Sequence, residues 1–259
     1  MKKYEYVWLD GYQPEPYLRS KVKVTTDRTP PEWSFDGSST QQADTEGSDC
    51  ILIPVQEYKN PLFGDSLVMC GVQTSAREAH STNMRHSASE IVTDEWWFGF
   101  EQEYFFTNPD GSILGWEEGI PEREQGDYYC GVGAANVKGR DVSEAHLEAC
   151  LEAGIELTGT NAEVALGQWE FQVCNVGIDA CDHFIFLRYI LEKTAETYNL
   201  DIEYNPKTVK GDWNGSGCHV NFSTLEMREE GGYEKILQAI NRLQGKHDEH
   251  MEIYGSNND

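Results

Sequence analysis

The sequence predicts an α+β chain in two parts, a small and mostly β N-terminal domain followed by a larger mixed domain. Three observations carry that reading. The first eighty residues break into short β-branched and aromatic runs with no helical period between them. Beyond residue 95, aromatic strand-like runs alternate with apolar stripes at helical spacing. Between the two lies the polar stretch from Thr74 to Ser89, which reads as the linker. A hydrophobic content of 39% over 259 residues is enough for a substantial core and argues against a disordered acidic chain.

The elements follow in order. Tyr4 to Asp10, Val22 to Thr26, Cys50 to Val55 and Leu67 to Val72 are strand-like runs bounded by Gly, Pro, Asp or Ser. Trp96 to Thr107 is a strongly aromatic strand. Asp141 with Glu144 forms a capping-box signature ahead of Leu147, Cys150 and Leu151, which predicts a helix there. A second helix is expected from Ala180 to Tyr198, where Phe184, Leu187, Leu191 and Ala195 make one stripe. Asp201 to Tyr204 and Cys218 to Ser223 read as strands, and Tyr233 to Tyr254 as a final amphipathic helix.

Charge narrows the function. Twenty Lys and Arg against 45 Asp and Glu give a formal charge of −25, which disfavours nucleic acid and anionic membrane surfaces as partners. No run approaches the roughly 20 apolar residues a membrane span needs. Seven cysteines, odd in number and without a Cys-x-x-Cys pair, argue against a disulfide framework or a structural zinc site. Reduced thiols and a cytoplasmic location are expected.

Four segments carry chemistry. In Gly99-Phe100-Glu101-Gln102-Glu103-Tyr104, residues two apart share a strand face, so Glu101 and Glu103 point together. Two adjacent carboxylates repel unless protonated or bound to a cation; the alternative is an exposed acidic edge. In the stretch from Asn161 to Gln172, two extended segments meet at Ala165 to Gly167, and a hairpin there brings Glu163 near Glu170. In the stretch from Gly211 to Ser223, the loop Asn214 to Gly217 has free amides for an anion, and His219, Asn221 and Ser223 share one face beyond it. Glutamates with one imidazole suit magnesium or manganese. The fourth, Trp33-Ser34-Phe35-Asp36-Gly37-Ser38-Ser39-Thr40, reads on its own as a turn.

Taken together, WSFDGSST, WFGFEQEYFF, QGDYYCGVGAANVKGRDVSEAH, GTNAEVALGQWEFQ and GDWNGSGCHVNFST resemble glutamine synthetase of the shorter eukaryotic class, in the family's order and across nearly the whole chain. The resemblance implies a β-grasp domain over residues 1–82 and a catalytic domain over 83–259 whose strands line a metal funnel. It implies that Glu103, Glu163 and Glu170 hold one Mg2+ or Mn2+, that Glu101 and His219 hold a second beside ATP, and that two or three ions bind in all. It further implies that Asn214 and Gly215 bind glutamate, that Trp97, Glu101, Asn221 and Ser223 contact the nucleotide, and that Asp36, Tyr129 and Glu163 form an ammonium site. Asp36 is then supplied to a neighbouring subunit, so a homo-oligomeric ring is expected. The implied activity is ATP-dependent ligation of ammonia to glutamate through a γ-glutamyl phosphate.

The resemblance also implies a closing segment after Asp259, with a His-Glu-Thr motif and several arginines, so the catalytic domain is expected to be truncated. Arg140, Arg188, Arg228 and Arg242 lie in helix or turn contexts and are not expected to replace those arginines. Asp127 stands where the family usually has Pro, and Val173-Cys174-Asn175 where many members have Gly-Pro. Two other readings remain: a non-catalytic homologue that binds nucleotide or metal or joins ring assemblies, and a glycosidase built on paired glutamates. The second leaves His219, the Asn214 to Gly217 loop and Asp36 unexplained.

Overall fold

The computed structural model describes residues 1–121 and 123–255; the last four residues of the expected catalytic domain, 256–259, lie outside the described residues. The chain divides into two compact units, Met1–Thr93 with Glu152–Gly154, and Asp94–Leu151 with Ile155–Asp259. No helix is long and apolar enough to cross a membrane among the described residues, and all seven cysteines are free thiols.

The first unit is a five-stranded sheet of β1 (Lys2–Leu9), β2 (Leu18–Thr25), β3 (Trp33–Asp36), β4 (Asp49–Lys59) and β5 (Ser66–Gln73), in the order β2-β1-β5-β4-β3. β1 runs parallel to β5, while the other neighbours are antiparallel. Alternation on β1 puts Tyr4, Tyr6 and Trp8 on one face, where they pack with Phe35, Leu52, Val68 and Val72. The other face of β1 is also covered, and its Glu5 carboxylate is satisfied by Asn60 Nδ2 at 2.7 Å.

Two readings of this unit change. Trp33 to Asp36 is an edge strand before a 3₁₀ turn, Gly37–Thr40, rather than part of the turn itself. The stretch expected as linker, Thr74 to Ser89, overlaps the helix α1 (Met84–Ile91), capped by the Asn83 side chain accepting from the His86 amide. That helix buries none of its residues, so no apolar stripe announced it.

The second unit is built on β6 (Trp97–Thr107), β7 (Leu157–Ala162), β8 (Gln168–Val176), β9 (Asp201–Glu203) and β10 (Cys218–Ser223). The sheet order is β10-β6-β8-β7, with β9 pairing the far end of β6, and every pairing is antiparallel. β8 runs unbroken through Val173 to Asn175. Of two long helices, α2 (Arg140–Ala153) buries one face, with Val142, His146, Ala149, Cys150 and Ala153, while α3 (Gly177–Thr197) is buried over more than half its residues and packs on β6 and β8. α2 starts two residues earlier than a capping box with Asp141 at the cap allows. Asp141 is in its first turn, where its charge favours the helix dipole, and not at the cap. The expected last helix, Tyr233 to Tyr254, is broken at Gly245 into α5 (Gly232–Gln244) and α6 (His247–Met251), and a short helix that was not expected, α4 (Leu225–Arg228), precedes them, set off by Gly231 with φ +82°.

The pleat sorts β6 and β8 into two faces. Gln102, Tyr104, Phe106, Trp169 and Phe171 share the face towards the helices, and all five are buried. Glu101, Glu103, Glu170 and Gln172 share the opposite face. On the helix side, His146 Nε2 donates to the Leu187 carbonyl at 3.0 Å, which ties α2 to α3. Its edge meets the Phe171 ring. A carbonyl only accepts, so His146 carries a proton on Nε2.

Two outcomes test this packing. Gly167, at the β7–β8 turn, has φ +85°, and a Cβ there would lie 2.5 Å from the Leu114 carbonyl oxygen. Gly167→Ala should cost about 2 kcal/mol in a denaturant melt, and an unchanged midpoint would contradict the turn geometry. Burial pushes the His146 imidazole down to about 4. Between that value and the ordinary 6.5 the unfolded chain binds the extra proton, so stability falls as pH drops through this window, by up to about 3 kcal/mol. Glu192, raised by burial to about 7, works in the opposite direction. The measurement is therefore the difference between wild type and His146→Phe at pH 7 and pH 4.5, and equal pH slopes would refute it.

Candidate metal centre

The carboxylate cluster comes from register. Glu103 on β6 stands directly opposite Glu170 on β8, and Glu170 stands opposite Asn161 on β7. The β7–β8 turn then returns Glu163 to the same place, with the Glu163 amide donating to the Gln168 carbonyl at 2.9 Å. One oxygen from each of Glu103, Glu163 and Glu170 lies within 4.8 Å of the others.

Each carboxylate is held by a neutral donor. The Gly217 amide donates to Glu103 Oε2 at 2.7 Å. Asn161 Nδ2 and the Val164 amide donate to Glu163 at 3.0 and 3.1 Å. Gln172 Nε2 donates to Glu170 Oε1. No cation among the described residues is paired with the three. Burial raises the Glu103 carboxyl above the usual range, and Glu170 adds to that. Glu163 is raised by burial first and then by Glu103 and Glu170. Three oxygen donors aimed at one point, held in place and short of positive charge, fit a hard divalent cation such as Mg2+ or Mn2+.

A second cluster lies one pleat along the same face. His219 on β10 stands opposite Glu101, with its Nδ1 3.4 Å from Glu101 Oε2. Asn221 Nδ2 donates to Glu101 Oε1 at 2.6 Å. Next along the ladder, Ser223 is paired with Trp97, a residue 48% exposed. Glu101, His219, Asn221, Ser223 and Trp97 therefore form one open strip beside the carboxylate triad.

Arg228 joins that strip from α4, although its helical context gave no sign of it. Its guanidinium lies 4.3 Å from the Trp97 ring centroid, and Nη1 donates to the Ser223 carbonyl and hydroxyl at 2.7 and 2.9 Å. Only the fold, which returns α4 to the start of β6, brings it there.

The loop from Asn214 to Gly217 closes over the end of the triad. Gln168 Nε2 donates to the Gly215 carbonyl at 3.0 Å, and the Ser216 amide to the Pro206 carbonyl at 3.0 Å. A Cβ on Gly215 would stand 2.3 Å from the Pro206 oxygen, so the close approach admits only glycine. Gln125 bridges the loop, accepting from the Asn214 amide and donating to the Asp212 carbonyl, both at 2.6 Å. The Asn214 side chain remains exposed. Gln125, Asn161, Gln168 and Gln172 escaped the sequence reading because single amides carry no spacing signal.

Tyr129 is 55% exposed. Its segment is tied to the Glu163 turn, with the Cys130 amide donating to the Ala162 carbonyl at 2.9 Å and the Gly126 amide to the Val164 carbonyl at 2.8 Å. Cys130 and then Glu163 raise its phenol. Asp36 lies in the first unit, at the cap of the 3₁₀ turn. Hydrogen bonds from Ser39, Ser38 and Ser48 hold its carboxyl down at about 2.

Comparisons with known proteins bear on the family and the fold. The family described as glutamine synthetase, catalytic domain, matches residues 73–235. A glutamine synthetase of Saccharomyces cerevisiae is 46% identical over 268 residues, which span 98% of this chain and 71% of that protein. A chloroplastic/mitochondrial glutamine synthetase of Arabidopsis thaliana is 46% identical across 98% of this chain and 62% of its own length. For a glutamine synthetase of Xenopus laevis the figures are 47%, 96% and 66%. The chain thus spans from just under two thirds to three quarters of the length of such relatives. A solved structure named Apo GmaS without ligand superposes with a TM-score of 0.66, covering 86% of this chain and 54% of the other, at 19% identity, and so bears on the fold alone. With the family match over most of the second unit and near-half identity along almost the whole chain, this protein belongs to the glutamine synthetase family.

Proposed function

We propose that the chain carries the ATP-dependent ligation of ammonia to the side-chain carboxylate of L-glutamate, giving L-glutamine, ADP and phosphate through a γ-glutamyl phosphate. The observation that carries this reading is the convergence of Glu103, Glu163 and Glu170 beside the strip of Glu101, His219, Asn221, Ser223 and Trp97 on one sheet face. The family relationship supports it, and the whole-protein activity is inferred from it.

In this reading Glu103, Glu163 and Glu170 hold one Mg2+ or Mn2+, and Glu101 with His219 contributes to a second, with two or three ions in all. Such ions, when bound, neutralise phosphate charge. The protein's own groups do the remaining work. Trp97 offers an exposed ring for a base to stack on, and Asn221 and Ser223 offer polar groups along the ATP. Arg228 belongs to the same nucleotide strip and places a fixed positive charge there. Asn214 and the Gly215 backbone bind the glutamate.

Asp36, Tyr129 and Glu163 form the ammonium site, with Asp36 delivered to a neighbouring subunit in a homo-oligomeric ring. A carboxyl held near 2 is a weak base at neutral pH. Asp36 therefore acts mainly as a fixed anion that attracts ammonium and favours loss of its proton only in company with Tyr129 and Glu163. The domain assignment goes with this: an N-terminal β-grasp domain over 1–82 and a catalytic domain over 83–259. A cytoplasmic site of action fits the free thiols.

Isothermal titration with Mn2+ should show loss of one site in Glu163→Ala. Unchanged stoichiometry would remove the metal assignment. A phosphate-release assay with ATP, glutamate and ammonia should show turnover that Glu170→Ala lowers by at least about 100-fold. Metal binding without glutamate-dependent phosphate release, in wild type as in the variant, would favour the non-catalytic reading. Sedimentation should show rings that depend on salt through screening of the acidic surface, and monomer at every salt and magnesium concentration would count against the shared site.

A further inference from the structure

Behind the metal-facing side of the sheet lies a polar group that the reaction does not use. Gln102 is 1% exposed and points towards α3, away from Glu101 and Glu103. Its side-chain oxygen accepts from Arg188 Nε at 3.0 Å and also from Nη2. Its side-chain NH2 donates to the Glu103 carbonyl at 2.7 Å and to the Gly217 carbonyl at 3.3 Å.

Chemistry settles which way this amide faces. A guanidinium only donates and a carbonyl only accepts, so the oxygen must face Arg188 and the NH2 must face the backbone. Arg188 is itself fixed by stacking against Phe184 at 4.9 Å and Tyr204 at 4.4 Å. Removing a guanidinium from water is costly without partners, and these rings and the Gln102 oxygen supply them.

The far end of the relay reaches the metal site. Gly217 grips Glu103 twice: its carbonyl accepts from the Glu103 amide at 3.0 Å, and its amide donates to Glu103 Oε2 at 2.7 Å. Gly217 also ends the loop that carries Asn214 and Gly215. Whatever holds the Gly217 peptide therefore sets both the aim of the Glu103 carboxylate and the seat of that loop.

We propose that Arg188 and Gln102 form a positioning relay that locks the Gly217 peptide from behind the sheet and so holds Glu103 in its metal-ligating orientation. This rests on the reading of Glu103, Glu163 and Glu170 as a metal centre. Neither residue touches the ion or a substrate. A charge-assisted bond from Arg188 polarises the Gln102 amide and strengthens its donors, which is why a cation stands behind an uncharged side chain.

Three variants separate this from simple packing. Arg188→Met keeps the length and loses the donors. Arg188→Lys keeps a cation that can donate to the Gln102 oxygen. Gln102→Glu keeps the shape and the Arg188 pair, but it turns donors into an oxygen facing two carbonyls. Each is read by thermal melting, by Mn2+ affinity from electron paramagnetic resonance, and by hydrogen exchange of the Gly217 amide without metal, with Glu170→Gln as the ligand control.

In folded protein, Arg188→Met and Gln102→Glu should weaken Mn2+ binding about 10-fold and speed Gly217 exchange by a similar factor, with Arg188→Lys near wild type. Unchanged exchange and affinity in folded Gln102→Glu and Arg188→Met, while Glu170→Gln loses Mn2+, would overturn the relay and leave the metal centre standing. Faster Gly217 exchange in a protein whose wild type takes up no Mn2+ would overturn the metal centre, and the relay's role with it. Should Arg188→Met fail to fold, Gln102→Glu and Arg188→Lys decide the matter alone.

Discussion

Glu103 and Glu170 face each other across an antiparallel ladder, and their mutual repulsion is the constraint around which the second unit is arranged. Like charges directly opposite in a sheet destabilise it, and a third carboxylate, Glu163, is returned to the same point by the β7–β8 turn. The surroundings do not remove the repulsion. They hold it in place, with Gly217, Asn161, Val164 and Gln172 each donating to one of the three carboxylates. Burial first and the neighbouring carboxylates second raise the Glu103 and Glu163 carboxyls, and the same concentration of negative charge makes the triad a receptor for a divalent cation.

The two faces of this sheet divide the labour. Towards the helices, Tyr104, Phe106, Trp169 and Phe171 are fully buried or nearly so, and they fix the strands rigidly. Towards the opposite face the same strands present carboxylates, an imidazole and an exposed indole. Alternation along the strand is what allows a dry core and a charged site to lie a few ångströms apart without either disturbing the other. Gln102 is the exception, a polar side chain on the apolar face, and its cost is met by donating to the Glu103 and Gly217 carbonyls and accepting from Arg188.

Two of the arginines show what local context leaves out. Arg188 sits in the middle of α3 and Arg228 at the end of α4, both ordinary places for a helical cation. Three-dimensional packing puts the first behind Gln102 and the second over Trp97. The helix α1 and the edge strand β3 were hidden for a different reason. α1 buries nothing and so has no apolar stripe, and β3 is four residues whose composition reads as a turn.

What the sequence by itself determined was the inventory and its spacing. Period-two alternation put Glu101 with Glu103 and His219 with Asn221 and Ser223, each within one strand. The Ala165 to Gly167 turn signal foretold that Glu163 and Glu170 come together. The aromatic strand and the α3 stripe were legible because each is a local pattern in burial; β10, exposed along nearly all its length, was legible from its alternation of polar and apolar residues after Gly217. The tertiary structure decided which strands are neighbours and in what register. That choice depends on contacts more than a hundred residues apart along the chain, such as Gly217 on Glu103 and Asn221 on Glu101. A shift of one residue in the β6–β8 pairing would turn Glu103 from Glu170 to an apolar partner and dissolve the triad, and no local propensity encodes that alignment.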